Sequence, residues 1–492
     1  MKHIAFDLGA ESGRAIVGEI VRGKLHMEEL HRFPTQGLLV NGSLRWDIYR
    51  LFREIKNGLK KYAAQYGDEP CTMGVDTWGI DCGFLDRNGE LCSIPYHYRD
   101  KRTAGTSKII DEKLGLDKLY ELTGIQHMEI NTLNQLIAAK RGDDSVLEVG
   151  EYLLFIGDLL HNFLCGSVKA EFSIATTSNM YSTVTGGWQN EVLEAFDIDR
   201  KKMPEVVPSG SVLGTVREDI AEETGISKAC KVIAPPVHDT ASAATAVPSL
   251  ADTAAYISSG TWSLVGLELD RAVVNEKSKK FNIANYGSSF GKILFLRNVM
   301  GLWLVQQARA QWLKAQPDLT YGEIVELAQQ AEPFFGFIDP NDDVFLNPAD
   351  MPHEICAYLE RTGQRTLNPA EIGQVARIIF ESLAFRYRSV FEMLAGATGK
   401  AIEQINIIGG GIQNKMLTQF TANATGMRVV AGPVEATATG NILMQAYGSG
   451  ELESIRQLRQ VVMDTFEPET FLPEDSALWD DKYRECLGVW SS

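Results

Sequence analysis

Cysteine is scarce and unpatterned. Cys71, Cys82, Cys92, Cys165, Cys230, Cys356 and Cys486 are an odd seven spread over 492 residues, with no CxxC pair among them. That excludes a zinc ribbon or a thioredoxin-type redox pair and predicts reduced thiols in a cytoplasmic protein. The chain has no GxxxxGK[ST] phosphate cradle, no HExxH helix and no strand-led GxGxxG turn, and no nucleophile elbow is expected. Apolar runs fall short of the ~18 residues a membrane span needs. The opening Met1-Lys2-His3-Ile4-Ala5-Phe6 is too short an apolar run for a signal peptide. Positive charge is also short, with 47 Lys plus Arg against 64 Asp plus Glu and a net charge of −17. Nucleic acid and membrane are therefore not expected partners, although a local pocket could still take a small anion. Among the 8 histidines, His3, His26 and His353 match no metal motif and read as surface or packing residues.

What is present is alternation of strand and helix, which predicts an α/β architecture. Ile4-Ala5-Phe6, a turn-rich stretch at 7–14 and residues 15–20 read as strand, glycine turn, strand. Ile48, Leu51, Phe52, Ile55 and Leu59 fall at helical spacing behind a capping Asp47. Residues 73–77 predict a strand and 158–164 a helix. The opening layout returns at 254–258 and 262–267, which predicts a duplicated domain with a boundary near Pro248. Asn368-Pro369 is expected to open a long helix with the stripe Ile372, Val375, Ile379, Leu383 and Leu394. A strand at 405–408, a glycine loop, a helix at 416–424 and a strand at 427–430 follow. The charged C-terminal stretch, with Phe466, Phe471 and Trp479, reads as a helical extension.

Three glycine-rich turns follow strands. They hold Asp7, Gly9, Ser12, Gly13 and Arg14; then Ser258, Ser259, Gly260 and Thr261; then Gly409, Gly410 and Gly411. Glycine lets backbone amides approach an anion, hydroxyls add donors, and a strand-end carboxylate such as Asp7 can hold a hydrated Mg²⁺. Together they point to a nucleotide, whereas one alone would merely turn a hairpin. Asp239 stands at or near the start of a small-residue helix, where the helix dipole favours its charged form. It can act as general base toward a sugar hydroxyl, as a helix cap, or as both. Asp76, Thr77, Trp78 and Gly79 follow a strand, so Trp78 can face a sugar ring or be buried in the turn. Asn298 precedes a helix and could cap it.

The stretches DLGAESGR (7–14), GVDTWGIDCGFLD (74–86), YRDKRT (98–103), NTLNQL (131–136) and HDTASA (238–243) occur in this order. SSGTWSL (258–264), NVMGLWLVQ (298–306), PNDDVFLNP (340–348), GGGIQN (409–414) and AGPVEATATGN (431–441) continue it. Together they resemble the FGGY carbohydrate kinases over nearly the whole chain. The resemblance implies two ribonuclease-H-like domains of the actin and hexokinase type with an active-site cleft between them. It assigns 1–247 to sugar binding, 248–450 to nucleotide binding and 451–492 to the extension. It implies transfer of the γ-phosphoryl of ATP to the 1-hydroxyl of L-rhamnulose with Mg²⁺. L-fuculose or another ketose is the alternative substrate. A non-catalytic sensor or a chaperone-like ATPase is the alternative class. Carried over by position, Asp239 is the base and Gly79, His238, Thr240 and Asn298 bind sugar. Ala10, Glu11, Ser12, Gly13, Arg14, Thr261, Gln306 and Gly410 bind ATP, and Asp7 organises Mg²⁺. The motif adds Asp76, Trp78 and Asp81. Glu11 is a departure, because a carboxylate facing phosphates would repel them. It is expected to point outward or act through the metal.

Overall fold

The strand Lys2–Leu8 is buried along nearly its whole length, as a central strand covered on both faces must be. It pairs antiparallel with Ser12–Val21 and parallel with Cys71–Thr77, which puts Asp7 opposite Asp76 and His3 opposite Thr72. In this computed structural model, which describes residues 1–251 and 254–491, the full sheet runs Lys24–Pro34, Ser12–Val21, Lys2–Leu8, Cys71–Thr77, Lys231–Ile233, Val212–Thr215. Side chains alternate across it. Ile4, Phe6, Met73 and Val75 enter a core with Leu51, Ile55 and Leu59 of the helix Ile48–Tyr66. The opposite face carries polar residues and glycines. Cβ atoms added at Gly18 and Gly74 would come within 2.7 Å of Ile442 and 3.1 Å of Asn441, both on the helix Ala436–Gly448. Asp47 caps the first helix as predicted, accepting from Arg50 N at 3.1 Å.

This sheet belongs to a unit built from Met1–Asp252, Glu268–Phe295 and Glu435–Phe466. A second unit comprises Thr253–Leu267, Leu296–Val434 and Glu467–Ser492. The units are therefore discontinuous in sequence, unlike the contiguous pieces 1–247, 248–450 and 451–492. Helix Ala436–Gly448 joins the first unit because it covers Lys2–Leu8 and Cys71–Thr77. Helix Ile455–Phe466 joins it through Arg459, which is buried against Glu268 and the carbonyls of Ala244 and Ser249. Residues 252, 253 and 492 lie outside the described residues.

Six neighbouring strands of a seven-stranded sheet run Ile293–Met300, Trp262–Leu269, Ala254–Ser259, Gln404–Ile408, Arg428–Ala431, Glu469–Phe471, with most of their residues in the second unit. Ala254–Ser259 and Arg428–Ala431 are both parallel to Gln404–Ile408, and Glu469–Phe471 closes the edge antiparallel. In both sheets the hairpin strands lie to one side of the first strand. Two parallel neighbours and an antiparallel edge lie to the other. This is the duplication predicted from the hairpins. The long helix runs Ile372–Thr398 and ends at Gly399 in the left-handed conformation (φ 69°). It starts later than Asn368-Pro369. Asn368 instead closes its own turn, its Oδ1 accepting from Ala370 N at 3.0 Å and its carbonyl from Glu371 N at 2.9 Å. Within this unit Trp479 of the last helix, Ser476–Trp490, packs against Phe334, Phe385 and Phe420.

All seven cysteines are free thiols, with Cys71 and Cys230 Sγ atoms 3.0 Å apart. His26 and His353 are exposed, and His3 is buried. The string Gly287-Ser288-Ser289-Phe290-Gly291 does spell GxSxG. Ser289 is nevertheless fully buried and hydrogen-bonded to Thr245 Oγ1 at 2.9 Å, so it is not an elbow nucleophile. No helix among the described residues is long and apolar enough to cross a membrane.

Candidate functional site

The first unit gathers Asp7, Arg14, Asp76, His238, Asp239 and Thr240. Asp7 and Arg14 flank the first glycine turn as register partners. Arg14 places Nε at 3.0 Å and Nη2 at 2.9 Å from Asp7 Oδ2, and Nη1 at 2.5 Å from Glu435. Burial alone would lower the Arg14 pKa, but the two carboxylates outweigh it and raise it. The turn closes with Gly9 N donating to Ser12 O at 3.0 Å, and the Thr35 hydroxyl donates to the Gly9 carbonyl at 2.6 Å. Ala10 is half-buried, Glu11 and Ser12 are exposed, and Gly13 is buried against Phe33. Glu11 thus lies at the surface, consistent with its pointing outward.

Asp239 is the first residue of the helix Asp239–Thr245, with His238 in the cap position. It is therefore a first-turn residue and not the cap. Its Oδ1 accepts from Thr240 N at 2.5 Å and Thr240 Oγ1 at 3.1 Å. Burial first, then the Asp7 charge, push Asp239 up to about 7. Its side chain keeps 31% exposure, enough for an incoming hydroxyl to reach it. Burial pulls His238 down to about 4, leaving it neutral; its Nε2 is 3.7 Å from Asp239 Oδ1, and its buried Nδ1 has no hydrogen-bond partner. Thr240 is buried with its hydroxyl turned to Asp239.

The backbone ahead of Asp239 is held from two sides. Thr77 N donates to the Val237 carbonyl at 2.7 Å. Buried Glu171 accepts from Val237 N at 2.9 Å and from Ser209 Oγ at 2.6 Å. Sequence reading missed Glu171, which carries no motif; its role follows only from this long-range contact.

The loop after Cys71–Thr77 is more constrained than its sequence implied. Ile80 adopts φ 68°. A β-branched residue there is strained by about 1–3 kcal/mol. Thr177 Oγ1 accepts from Ile80 N at 3.0 Å, and Thr132 Oγ1 donates to Ile80 O at 2.6 Å. Gly79 is half-buried, with room for a Cβ only at 3.0 Å from Thr177. Trp78 is buried, its ring centroid 3.9 Å from that of Trp46 and its Nε1 donating to Asp81 Oδ2 at 2.9 Å. Of the two readings for Trp78, this is the buried one. Asp81 accepts also from Trp46 Nε1 at 2.6 Å and Gln135 Nε2 at 2.7 Å. Burial pushes it up to about 6 against those bonds. Asp76 is wholly buried, with Oδ2 accepting from Asn441 Nδ2 at 2.5 Å and Oδ1 unpartnered. Burial and the Asp7 charge push it well up, and the Asn441 bond opposes them. Being covered, Asp76 lines the site from behind.

The second unit gathers the other two glycine turns. Gly260 N donates to Trp262 O at 3.0 Å. The Thr261 carbonyl accepts from Gly301 N and Trp303 N, both at 3.1 Å, which seats the turn on the helix Trp303–Trp312. Gln306, on that helix, has a buried Oε1 with no hydrogen-bond partner. The glycine loop packs on the same turn, and an added Cβ at Gly411 would overlap Ser259 Oγ. Gly410 is exposed with open space around it. Asn298 lies within the strand Ile293–Met300, half-buried. It is not a helix cap, because the helix begins five residues later, at Trp303. Among the described residues no group of three or more His, Cys, Asp or Glu side chains is placed to hold a metal.

The N-terminal domain of the FGGY family of carbohydrate kinases matches residues 3–246 and its C-terminal domain residues 255–449. The chain belongs to this family of kinases, with the ATP use that such kinases imply. A rhamnulokinase of Bacteroides thetaiotaomicron is 41% identical over 479 residues, covering 97% of each chain. One from Bacillus subtilis is 38% identical over 475 residues, covering 96% of each. Among solved structures, ligand-bound xylulose kinase from Lactobacillus acidophilus superposes with TM-score 0.80 at 15% identity, covering 100% of this chain and 98% of that one. Glycerol kinase of Plasmodium falciparum with ADP gives 0.76 at 13%, covering 100% and 97%. At such identities these two establish the fold alone.

Proposed function

We propose that this chain transfers the γ-phosphoryl of ATP to the 1-hydroxyl of L-rhamnulose, giving L-rhamnulose 1-phosphate and ADP. The observation that carries the substrate is the near full-length similarity to rhamnulokinases, 41% in the Bacteroides case. Phosphoryl transfer asks little covalent chemistry of a protein. It needs in-line positioning, neutralised phosphate charge and a group to take the hydroxyl proton.

Asp239 is the proposed base. A carboxylate raised to about 7 by burial and Asp7 is a far better proton acceptor near neutral pH than an ordinary one. Thr240 fixes its Oδ1, leaving Oδ2 to meet the hydroxyl. Neutral His238, with an unsatisfied buried Nδ1, is suited to a sugar hydroxyl. Gly79, Asn298 and the backbone near Trp78 complete the proposed sugar contacts. Ala10–Arg14, Thr261, Gln306 and Gly410 are the proposed nucleotide contacts, and the unpartnered Oε1 of Gln306 supports its part in this. The residues fit a Mg²⁺: Asp7 and Asp76 are register neighbours, and Asp76 Oδ1 has no partner. Such an ion, when bound, would neutralise phosphate charge, taking most of its ligands from phosphate and water. Until then Arg14 balances the Asp7 charge.

The test is coupled ADP release with Mg·ATP and a panel of ketoses. Selective turnover of L-rhamnulose is expected. Selectivity for L-fuculose would replace the substrate, and turnover without sugar would replace the class.

A further inference from the structure

Behind Asp76 the buried polar atoms of the first unit form one continuous line. Asn441 Nδ2 meets Asp76 Oδ2 at 2.5 Å, and Asn441 Oδ1 meets Gln445 Nε2 at 2.6 Å. Gln445 Oε1 meets Thr72 Oγ1 at 2.6 Å, and Thr72 Oγ1 meets His3 Nδ1 at 2.7 Å. His3 Nε2 ends the line on Glu451 Oε2 at 3.1 Å. His3, Thr72 and Asp76 share one face of the sheet by strand alternation, and Asn441 and Gln445 share one stripe of a helix by their four-residue spacing.

The direction of the line is fixed by its surroundings. The Ile4 carbonyl can only accept, so the Gln445 nitrogen, 3.0 Å away, faces it. The Gln445 oxygen therefore faces Thr72, whose hydroxyl must donate to it. His3 Nδ1 must in turn donate to Thr72. From His3 Nδ1 onward, each donor thus points toward Asp76. Aligned bonds in a low-dielectric interior polarise one another, and the last acceptor gains most.

We propose that Asn441 and Gln445 are positioning residues for phosphoryl transfer: the aligned line from His3 orients the Asp76 carboxylate beside Asp7 and leaves Oδ1 free. The inference rests on the kinase reading above. It adds residues that touch neither sugar nor nucleotide.

Asn441→Asp keeps the shape and turns a donor into an acceptor against Asp76. It is expected to lower kcat about 10–100-fold, the scale of one charge-assisted bond, with KM for the sugar nearly unchanged. Thr72→Val breaks the line remote from Asp76 and is expected to lower kcat about fivefold, whereas Thr72→Ser restores it. In ¹⁵N-histidine-labelled protein the Nδ1 of His3 should carry a proton. Equal loss in Thr72→Val and Thr72→Ser, wild-type kcat in Asn441→Asp, or a bare His3 Nδ1 would overturn the proposal. If Asn441→Asp does not fold, the Thr72 pair and the His3 signal decide. Absence of sugar-dependent turnover in the wild-type chain would instead overturn the kinase reading.

Discussion

In the first unit the turn between the opening strands closes with Gly9 N on Ser12 O at 3.0 Å; in the second, Gly260 N bonds Trp262 O at 3.0 Å. The sheets that carry these turns share one order over six strands, and the second sheet has a seventh. The side chains around them do not match. The first turn is flanked by Asp7 and Arg14, locked to each other and to Glu435, with Asp76 and Asp239 within electrostatic reach. The second is flanked by Ser259 and Thr261 and backed by the glycine loop, with no charged residue in the turn itself. One backbone device thus supports two chemistries. On the proposed reading, the charged turn manages proton and metal, and the hydroxyl turn holds a nucleotide by backbone amides.

The sharpest way to separate the two is to remove the proton acceptor alone. Asp239→Asn should lower sugar-dependent turnover about 10²–10⁴-fold, the usual weight of a general base. Nucleotide binding, measured by calorimetry, should persist. Near-normal turnover would remove Asp239 from that role. A second test uses pH. Asp239 must be ionised to accept a proton, so activity falls as pH drops through its pKa, raised to about 7 by burial and Asp7. The acid limb of kcat should lie at or below about 7, because a cation on Asp7 cancels the second cause. Below that midpoint the fall is about tenfold per pH unit. A flat profile from about pH 4 to about 8 would contradict the assignment.

The hydroxyl turn is probed by its packing. Gly411→Ala forces a methyl into Ser259 Oγ and should destabilise by about 1–3 kcal/mol, read as a lower melting temperature. Gly410→Ala meets open space and should melt like the wild type. Equal effects would break the contrast. The smallest effect belongs to the exposed Glu11, where Glu11→Gln should change stability by less than about 0.5 kcal/mol.

Most of this framework was legible because it is local. The opening hairpin, the Asp47-capped helix and the strand–loop–helix run after residue 404 announce themselves through short-range periodicity and turn residues. The start of the long helix was misjudged because Asn368-Pro369 serves an independent turn equally well. Asn298 resembled a cap until the strand was seen to run on to Met300. The site divided along the same line. Asp239 and the glycine turns stand out as residue types at strand ends and helix starts. The burial of Trp78 under Trp46, the left-handed Ile80, the hold of Glu171 on Val237 and the His3–Asp76 line depend on strand register and on segments tens to hundreds of residues apart. No window of sequence contains them.

The central claim, a ketose kinase with rhamnulose as its acceptor, is tested most directly by ADP release from Mg·ATP across L-rhamnulose, L-fuculose, D-xylulose, L-ribulose and no sugar. Strong, selective turnover with L-rhamnulose is the predicted result. Turnover that ignores the sugar, or none with any ketose, would contradict it.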